Sequence, residues 1–401
     1  MVKRLYFPKK DRTFAPKKIT IMKYRIISLL LLCIGFAVNA QDFIKYKTLP
    51  DSAYANDANY QQGNKYQRDA ILFVDMLADT HPYYITKERR EQLMAKREGL
   101  LQECADCQSD TAFVSLLNGV LGKLYDKHTN VIDTLTLAEN KKVAAQRAAE
   151  TKESDGNHLM SRHDALFDYT MLPEQSICYM QFNQCFDART MRDESLPRFD
   201  HFLEEMFHAI DSLQIQTLVV DAQYNNGGSS RHCDELLSYL YPLNQLKDFT
   251  TYIRFSNLMA SLNPRIAVAK QKWEEQGHID ELYAKPTGQM PELDRKIYKG
   301  QVVFIQGPKT FSSAGILMTL ARDNNIGVII GDDSTYTPSH YGEVMPYILP
   351  NTGILGSISG KFFARPDATR VDDEVLEPDM KVDLKDKDAL LQFIKTSFGK
   401  K

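Results

Sequence analysis

Residues 218–230 read LVVDAQYNNGGSS, and residues 301–333 read QVVFIQGPKTFSSAGILMTLARDNNIGVIIGDD. Each opens on a continuous apolar run that predicts a strand buried on both faces, passes through a turn of Gly, Asn or Pro, and enters a helical pattern. The second stretch then reaches another strand, GVIIG. The texture continues outward through ICYMQF from residue 177, a helix near 197–212, a helix after Ser230 and TTYIRF from residue 250. Strands alternating with helices in this way predict a layered α/β core over residues 176–401. Residues 258–296, with Trp273 and several charges, interrupt it and read as an insertion over a cleft.

Upstream, apolar residues recur at helical spacing through Ile71, Leu72, Val74 and Leu77, again from Leu93 to Leu101, and from Thr111 to Leu124. Residues 41–175 therefore read as a helical N-terminal region. Within it, residues 138–165 are charged and Ala-rich, a helix or an exposed connection. From Met22 the chain runs MKYRIISLLLLCIGFAVNAQDF: a basic head, an apolar run from Ile26 to Val38, and a small-residue exit at Val38-Asn39-Ala40. That is the pattern of a secretory signal peptide, too short to span a bilayer comfortably. Residues 1–40 thus read as an over-extended start plus a signal, and the mature chain as exported, periplasmic or extracellular, with no membrane insertion once the signal is removed.

The signal changes the charge. The whole chain has 49 Lys and Arg against 52 Asp and Glu, but residues 1–40 hold nine of the bases and a single acid. The remainder carries −11, which disfavours a nucleic-acid partner or an anionic surface. Five cysteines follow the signal: Cys104, Cys107, Cys178, Cys185 and Cys233. The Cys104–Cys107 pair has neither a second such pair nor a nearby His cluster, so no metal site is expected; helix cysteines, a redox pair and a structural disulfide all stay open.

Chemistry is suggested first by the two turns. Glycines at a strand-to-helix turn let backbone amides approach an anion near the positive end of a helix, although Asn225-Asn226-Gly227-Gly228 is also readable as a tight turn and nothing more. It lacks the Lys-Ser/Thr ending of a phosphate loop. Ser312 and Ser313 stand at a helix start, where a serine is commonly an N-cap and where a nucleophile would gain from free amides. His128 follows the third helix in Asp126-Lys127-His128-Thr129, where it reads as a turn histidine.

Taken together, these elements resemble the tail-specific, or C-terminal processing, serine peptidase family, which includes the tricorn core. The family's D-x-R-x-N-x-G-G strand end is matched by Asp221-Ala222-Gln223-Tyr224-Asn225-Asn226-Gly227-Gly228, and its serine turn, helix and G-x-x-x-x-G strand by Val302 to Asp332. Asp126-Lys127-His128-Thr129 and Glu377-Pro378-Asp379 extend the resemblance over roughly residues 69–383. It implies a crotonase-like β/α superhelical core and a serine endopeptidase acting on peptides or unfolded protein. It further implies Ser312 as nucleophile, with Ser313 the runner-up, and an oxyanion site built from the amides of Ser313 and of Gly228 or Gly227. No cofactor is implied.

This sequence departs from the family in two ways. The Ser-Lys branch places a lysine where Thr337 stands here, and no lysine lies between Lys309 and Lys361. The tricorn-like branch instead takes a base from the region of His128, with Glu343 or Asp126 as the orienting acid; His81 and His340 are lesser candidates, the first as a helix end and the second as a cleft border. The stretch between His128 and Ser176 is about half as long as the family's PDZ module needs. Two alternatives remain at this level: a catalytically silent, peptidase-like binding protein of the cell envelope, and a hydrolase of small esters.

Overall fold

The computed structural model describes residues 54, 56–122, 124–132, 165–285, 295–370 and 375–400. The expected signal segment and the charged stretch 138–164 lie outside them. Four helices come first: α1 (Ala58–Gln62), α2 (Lys65–Thr80), α3 (Lys87–Ala105) and α4 (Asp110–Leu121). The second starts on a capping box, in which the Asn64 side chain accepts from the Gln67 amide while Gln67 returns the bond to Asn64. Then follow β1 (Asn130–Ile132), β2 (Phe167–Leu172), β3 (Ile177–Phe182), α5 (Ala188–Met191), α6 (Phe199–Ser212), β4 (Thr217–Asp221), α7 (Arg231–Leu240) and β5 (Thr250–Ile253). The remainder is α8 (Asn257–Leu262), α9 (Pro264–Glu275), β6 (Tyr283–Lys285), β7 (Gln301–Gln306), α10 (Ser313–Asp323), β8 (Val328–Gly331), β9 (His340–Ile348), β10 (Leu355–Ala364), β11 (Met380–Lys381) and α11 (Lys387–Phe398).

The strands form two sheets. One runs β11-β8-β7-β4-β3-β2, parallel throughout except for the β2–β3 hairpin. Both its faces are buried, as the unbroken apolar runs predict. Met180, Phe182, Leu218, Val220 and Phe304 pack under α6, α7 and α10. Their alternating neighbours Ile177, Tyr179, Val219, Val303 and Ile305 pack under Leu390 and Ile394 of α11. The second sheet is antiparallel and centres on β10, which pairs with β9 along one edge and with β1 and β5 along the other. The helices α2 to α4 share a core with this sheet, through Phe73, Leu77, Phe113 and Leu117 against Met345, Tyr347 and Ile358.

The architecture is therefore mixed α/β, with three differences from the sequence reading. TTYIRF does not join the parallel sheet: β5 is only half buried and pairs antiparallel with β10 and β6. The β2–β3 hairpin crosses the expected boundary between residues 175 and 176, because β2 needs β3 to satisfy its backbone. The stretch from residue 258 sends Leu258, Met259 and Ile266 into the core of the helical layer, and Arg90 of α3 clamps Asp280 through two short bonds.

Register is what prepares the site. Thr217 lies opposite Gln301 and Asp221 opposite Ile305, so β4 and β7 end together and their turns leave the same edge of the sheet. Carboxyl ends of adjacent parallel strands are where open α/β sheets hold ligands. The turns are then stitched to each other: the Phe311 amide donates to the Asn225 carbonyl at 3.0 Å, and Thr310 Oγ1 donates to the Ala222 carbonyl at 2.8 Å.

Candidate active site

The first residue of interest is Ser312, which immediately precedes α10. Its backbone lies at φ +52°, ψ −124°, in the left-handed half of the map where a side chain is strained. Its hydroxyl does not cap the helix. It is instead turned outward, 3.1 Å from Nε2 of His128. Ser313 is engaged elsewhere: its hydroxyl donates to the Gly228 carbonyl at 2.7 Å.

Next to Ser312 stands the Gly227-Gly228 turn. Both glycines have positive φ, and a Cβ on Gly227 would come within 2.7 Å of the Ser312 Cβ and 2.8 Å of the Ser313 amide nitrogen. Asn225 holds the turn in shape: its Nδ2 donates to the Phe182 carbonyl and its Oδ1 accepts the Gly227 amide at 2.8 Å. Of the two glycines expected to supply an oxyanion donor, Gly227 has thus already spent its N–H. Among the described residues the amides of Gly228 and Ser313 have no hydrogen-bond partner.

His128 arrives from the other sheet, on the connection between α4 and β1. Its ring is buried and stacks on Phe311 with centroids 4.7 Å apart. Its carbonyl accepts the Ser357 hydroxyl at 2.7 Å. Beneath it lies Asp126, whose Oδ1 accepts the His128 amide at 2.8 Å and stands 3.6 Å from His128 Nδ1. That last separation is longer than a formed hydrogen bond. An ionised acceptor at Nδ1 still favours the tautomer with its proton there, leaving the Nε2 lone pair toward Ser312.

Asp126 is itself held by three donors on its other oxygen. Oδ2 takes the hydroxyls of Thr129 at 2.6 Å and Ser359 at 2.7 Å, and Nε2 of His81 at 3.0 Å. The His81 tautomer follows from its other nitrogen, which accepts the Tyr83 amide at 3.1 Å; the proton must therefore sit on Nε2 and point at the carboxylate. Burial alone would raise the Asp126 carboxyl, but its interactions with His128 and His81 outweigh it and hold the group well below the usual carboxylate range.

Glu343 is not brought to this group; it is half exposed and pairs with Lys361 at 3.2 Å. The reason is its place on β9, beside Lys361 of β10. His340 lies 6.1 Å from the His128 ring and is bound to the Tyr336 hydroxyl at 2.7 Å. Burial, together with nearby His128, pushes it down to about 3, so it stays neutral. The sequence marks Thr129 only as the last residue of its motif and does not mark Ser357 or Ser359 as parts of the site. The one available signal is that Ser357 and Ser359 alternate on β10, so both face the 126–130 connection.

A hydroxyl on a strained turn, an imidazole in contact with it, a carboxylate behind the imidazole and two unpaired amides alongside are the groups that nucleophilic acyl transfer requires. Residues 177–382 match the model of Peptidase family S41. The chain belongs to that family, whose members are serine peptidases. No curated protein matches the chain. Among solved structures it is similar to a candidate peptidase from Parabacteroides merdae, with 17% identity over 81% of this chain and 92% of that one, at a TM-score of 0.52. It is also similar to mature CPAF solved with lactacystin, with 14% identity over 79% of this chain and 93% of that one, at a TM-score of 0.55. At such identities the likeness speaks for the fold.

Proposed function

We propose that the chain is an exported serine endopeptidase, periplasmic or extracellular, that cuts peptides or unfolded protein with Ser312 as nucleophile and His128 as general base. The observation carrying this reading is the 3.1 Å contact between His128 Nε2 and the Ser312 hydroxyl, which is left free of any capping role. In this scheme Ser312 Oγ attacks the scissile carbonyl as its proton passes to His128 Nε2; the imidazolium is stabilised by Asp126 and returns the proton to the leaving amine. The developing oxyanion is taken by the Gly228 and Ser313 amides, supported by the positive end of α10. Water then releases the acyl group by the same route. No step calls for a metal or an organic cofactor. We read the parallel sheet with its crossing helices as a crotonase-like core, and the tricorn-like branch as the nearer one, since the base comes from His128 and no lysine serves.

Hydrolysis of an unfolded protein such as casein tests the reading. The purified protein is expected to cleave it, and Ser312→Ala to leave no more than about a thousandth of the rate. Undiminished cleavage by Ser312→Ala would remove Ser312 from the role, and no cleavage by either would favour the silent, ligand-binding alternative.

A further inference from the structure

Two thiols beside this site have no part in the chemistry above. Cys185 follows β3 and Cys233 lies in the first turn of α7; both are fully buried, and their sulfurs stand 3.9 Å apart. Each reaches one half of the oxyanion site. The Cys185 amide donates to the Gly227 carbonyl at 3.1 Å and its carbonyl accepts the Ser229 amide at 2.9 Å, so its backbone runs alongside the glycine turn like a strand partner. Its contact with the turn is tight, since a Cβ on Gly228 would fall 2.5 Å from the Cys185 oxygen. Its sulfur faces Asn225 Oδ1 at 3.5 Å, the atom that also holds the Gly227 amide. Cys233 Sγ donates to the Ser313 carbonyl at 3.1 Å.

We propose that Cys185 and Cys233 close into a disulfide under oxidising conditions and that closure reshapes the Gly227-Gly228 turn, so that the site has two redox states. The pair of thiols gives up two protons and two electrons as the S–S bond forms; a small-molecule or protein disulfide takes them up and departs as two thiols. The bond is about 2.05 Å long, so the sulfurs must approach by nearly 2 Å. Cys233 then no longer donates to Ser313, and Asn225 loses one of its two donors. In a close-packed interior the displacement passes into the Cys185 backbone and from there to the amide of Gly228. Contact with Cys185 and burial hold the Cys233 thiol well above its usual range, so the folded protein reacts slowly and closes mainly during folding or transient opening.

The effect on rate rests on the reading of Ser312 as nucleophile; the cross-link does not. The full chain is refolded in a glutathione redox buffer and, separately, in dithiothreitol, and mapped by non-reducing peptide mass analysis. A Cys185–Cys233 linked peptide is expected in the first sample only, and its absence there overturns the proposal. Hydrogen exchange of the amides of residues 226–229 is expected to differ between the linked and reduced forms, and identical exchange overturns the coupling to the turn whether or not Ser312 is reactive. Fluorophosphonate labelling of Ser312 is expected to slow at least about tenfold in the linked form and to recover with dithiothreitol, whereas in Cys185→Ala the ratio between the two buffers is about one. A linked form labelling as fast as the reduced one contradicts the two-state site. Labelling in neither form would count against Ser312 and leave the thiol pair to be decided by the map and the exchange.

Discussion

Asp126 shows how much of the candidate site's geometry depends on groups set behind His128. Its Oδ2 accepts from Thr129, Ser359 and His81, which leaves Oδ1 for the backbone and ring of His128. A hydrogen bond to a buried charge is worth about 1.5–3 kcal/mol. His81→Phe is therefore expected to slow reaction at Ser312 by roughly ten- to a hundredfold, with His81→Gln, which keeps a donor, restoring most of it. Equal losses in the two variants would mean that His81 serves only packing. His340 supports a prediction of a different kind. Its unfolded pKa is about 6.5 and its folded value is down to about 3, so the unfolded chain takes up a proton that the native protein refuses. The stability contributed is complete above about pH 6.5 and is lost as pH falls toward 3. Urea unfolding of His340→Asn is expected to show a smaller drop in midpoint between pH 7 and pH 5 than the parent shows.

At the scale of elements, the strand-turn-helix units were legible because their signals are local. An apolar run, a Gly-Gly or Gly-Pro turn and two serines at a helix start are all contiguous in the sequence. Register then supplied what sequence could only suggest: the ends of β4 and β7 coincide, and Gly227 is pressed against Ser312. At φ +97°, with a Cβ 2.7 Å from that of Ser312, Gly227→Ala combines backbone strain with a clash on Ser312. It should cost at least about 2 kcal/mol of stability and abolish labelling of Ser312, both measurable on one preparation. The β9–β10 hairpin escaped the sequence reading. Its residues are half polar, Pro346 interrupts it, and Gly342, Gly356 and Gly360 weaken the strand pattern. Ser359 went with it, since a lone serine acquires meaning only when a distant carboxylate lies opposite. His81 was read as a helix end, which it is, for its ring caps the turn after α2; its bond to Asp126, 45 residues away, is a tertiary fact.

The whole molecule presents the Ser312 hydroxyl from one sheet and the His128 imidazole from the other, so their contact survives only while the two layers keep their relative places. On the side of His128, one anchor is Asp69 of α2, fully buried, which accepts from both the amides and the side chains of Asn351 and Thr352 in the β9–β10 turn. Asp69→Ala leaves those groups unsatisfied and is expected to lower unfolding free energy by about 3 kcal/mol, read as a shift in urea midpoint. The central claim concerns the meeting point itself. It is tested most directly by fluorophosphonate labelling of the purified protein, with the adduct located by peptide mass mapping in the parent, Ser312→Ala and His128→Ala. The account predicts one adduct, on Ser312, absent from Ser312→Ala and slowed at least about a thousandfold in His128→Ala. An adduct on another residue, or one that persists undiminished in either variant, would contradict it.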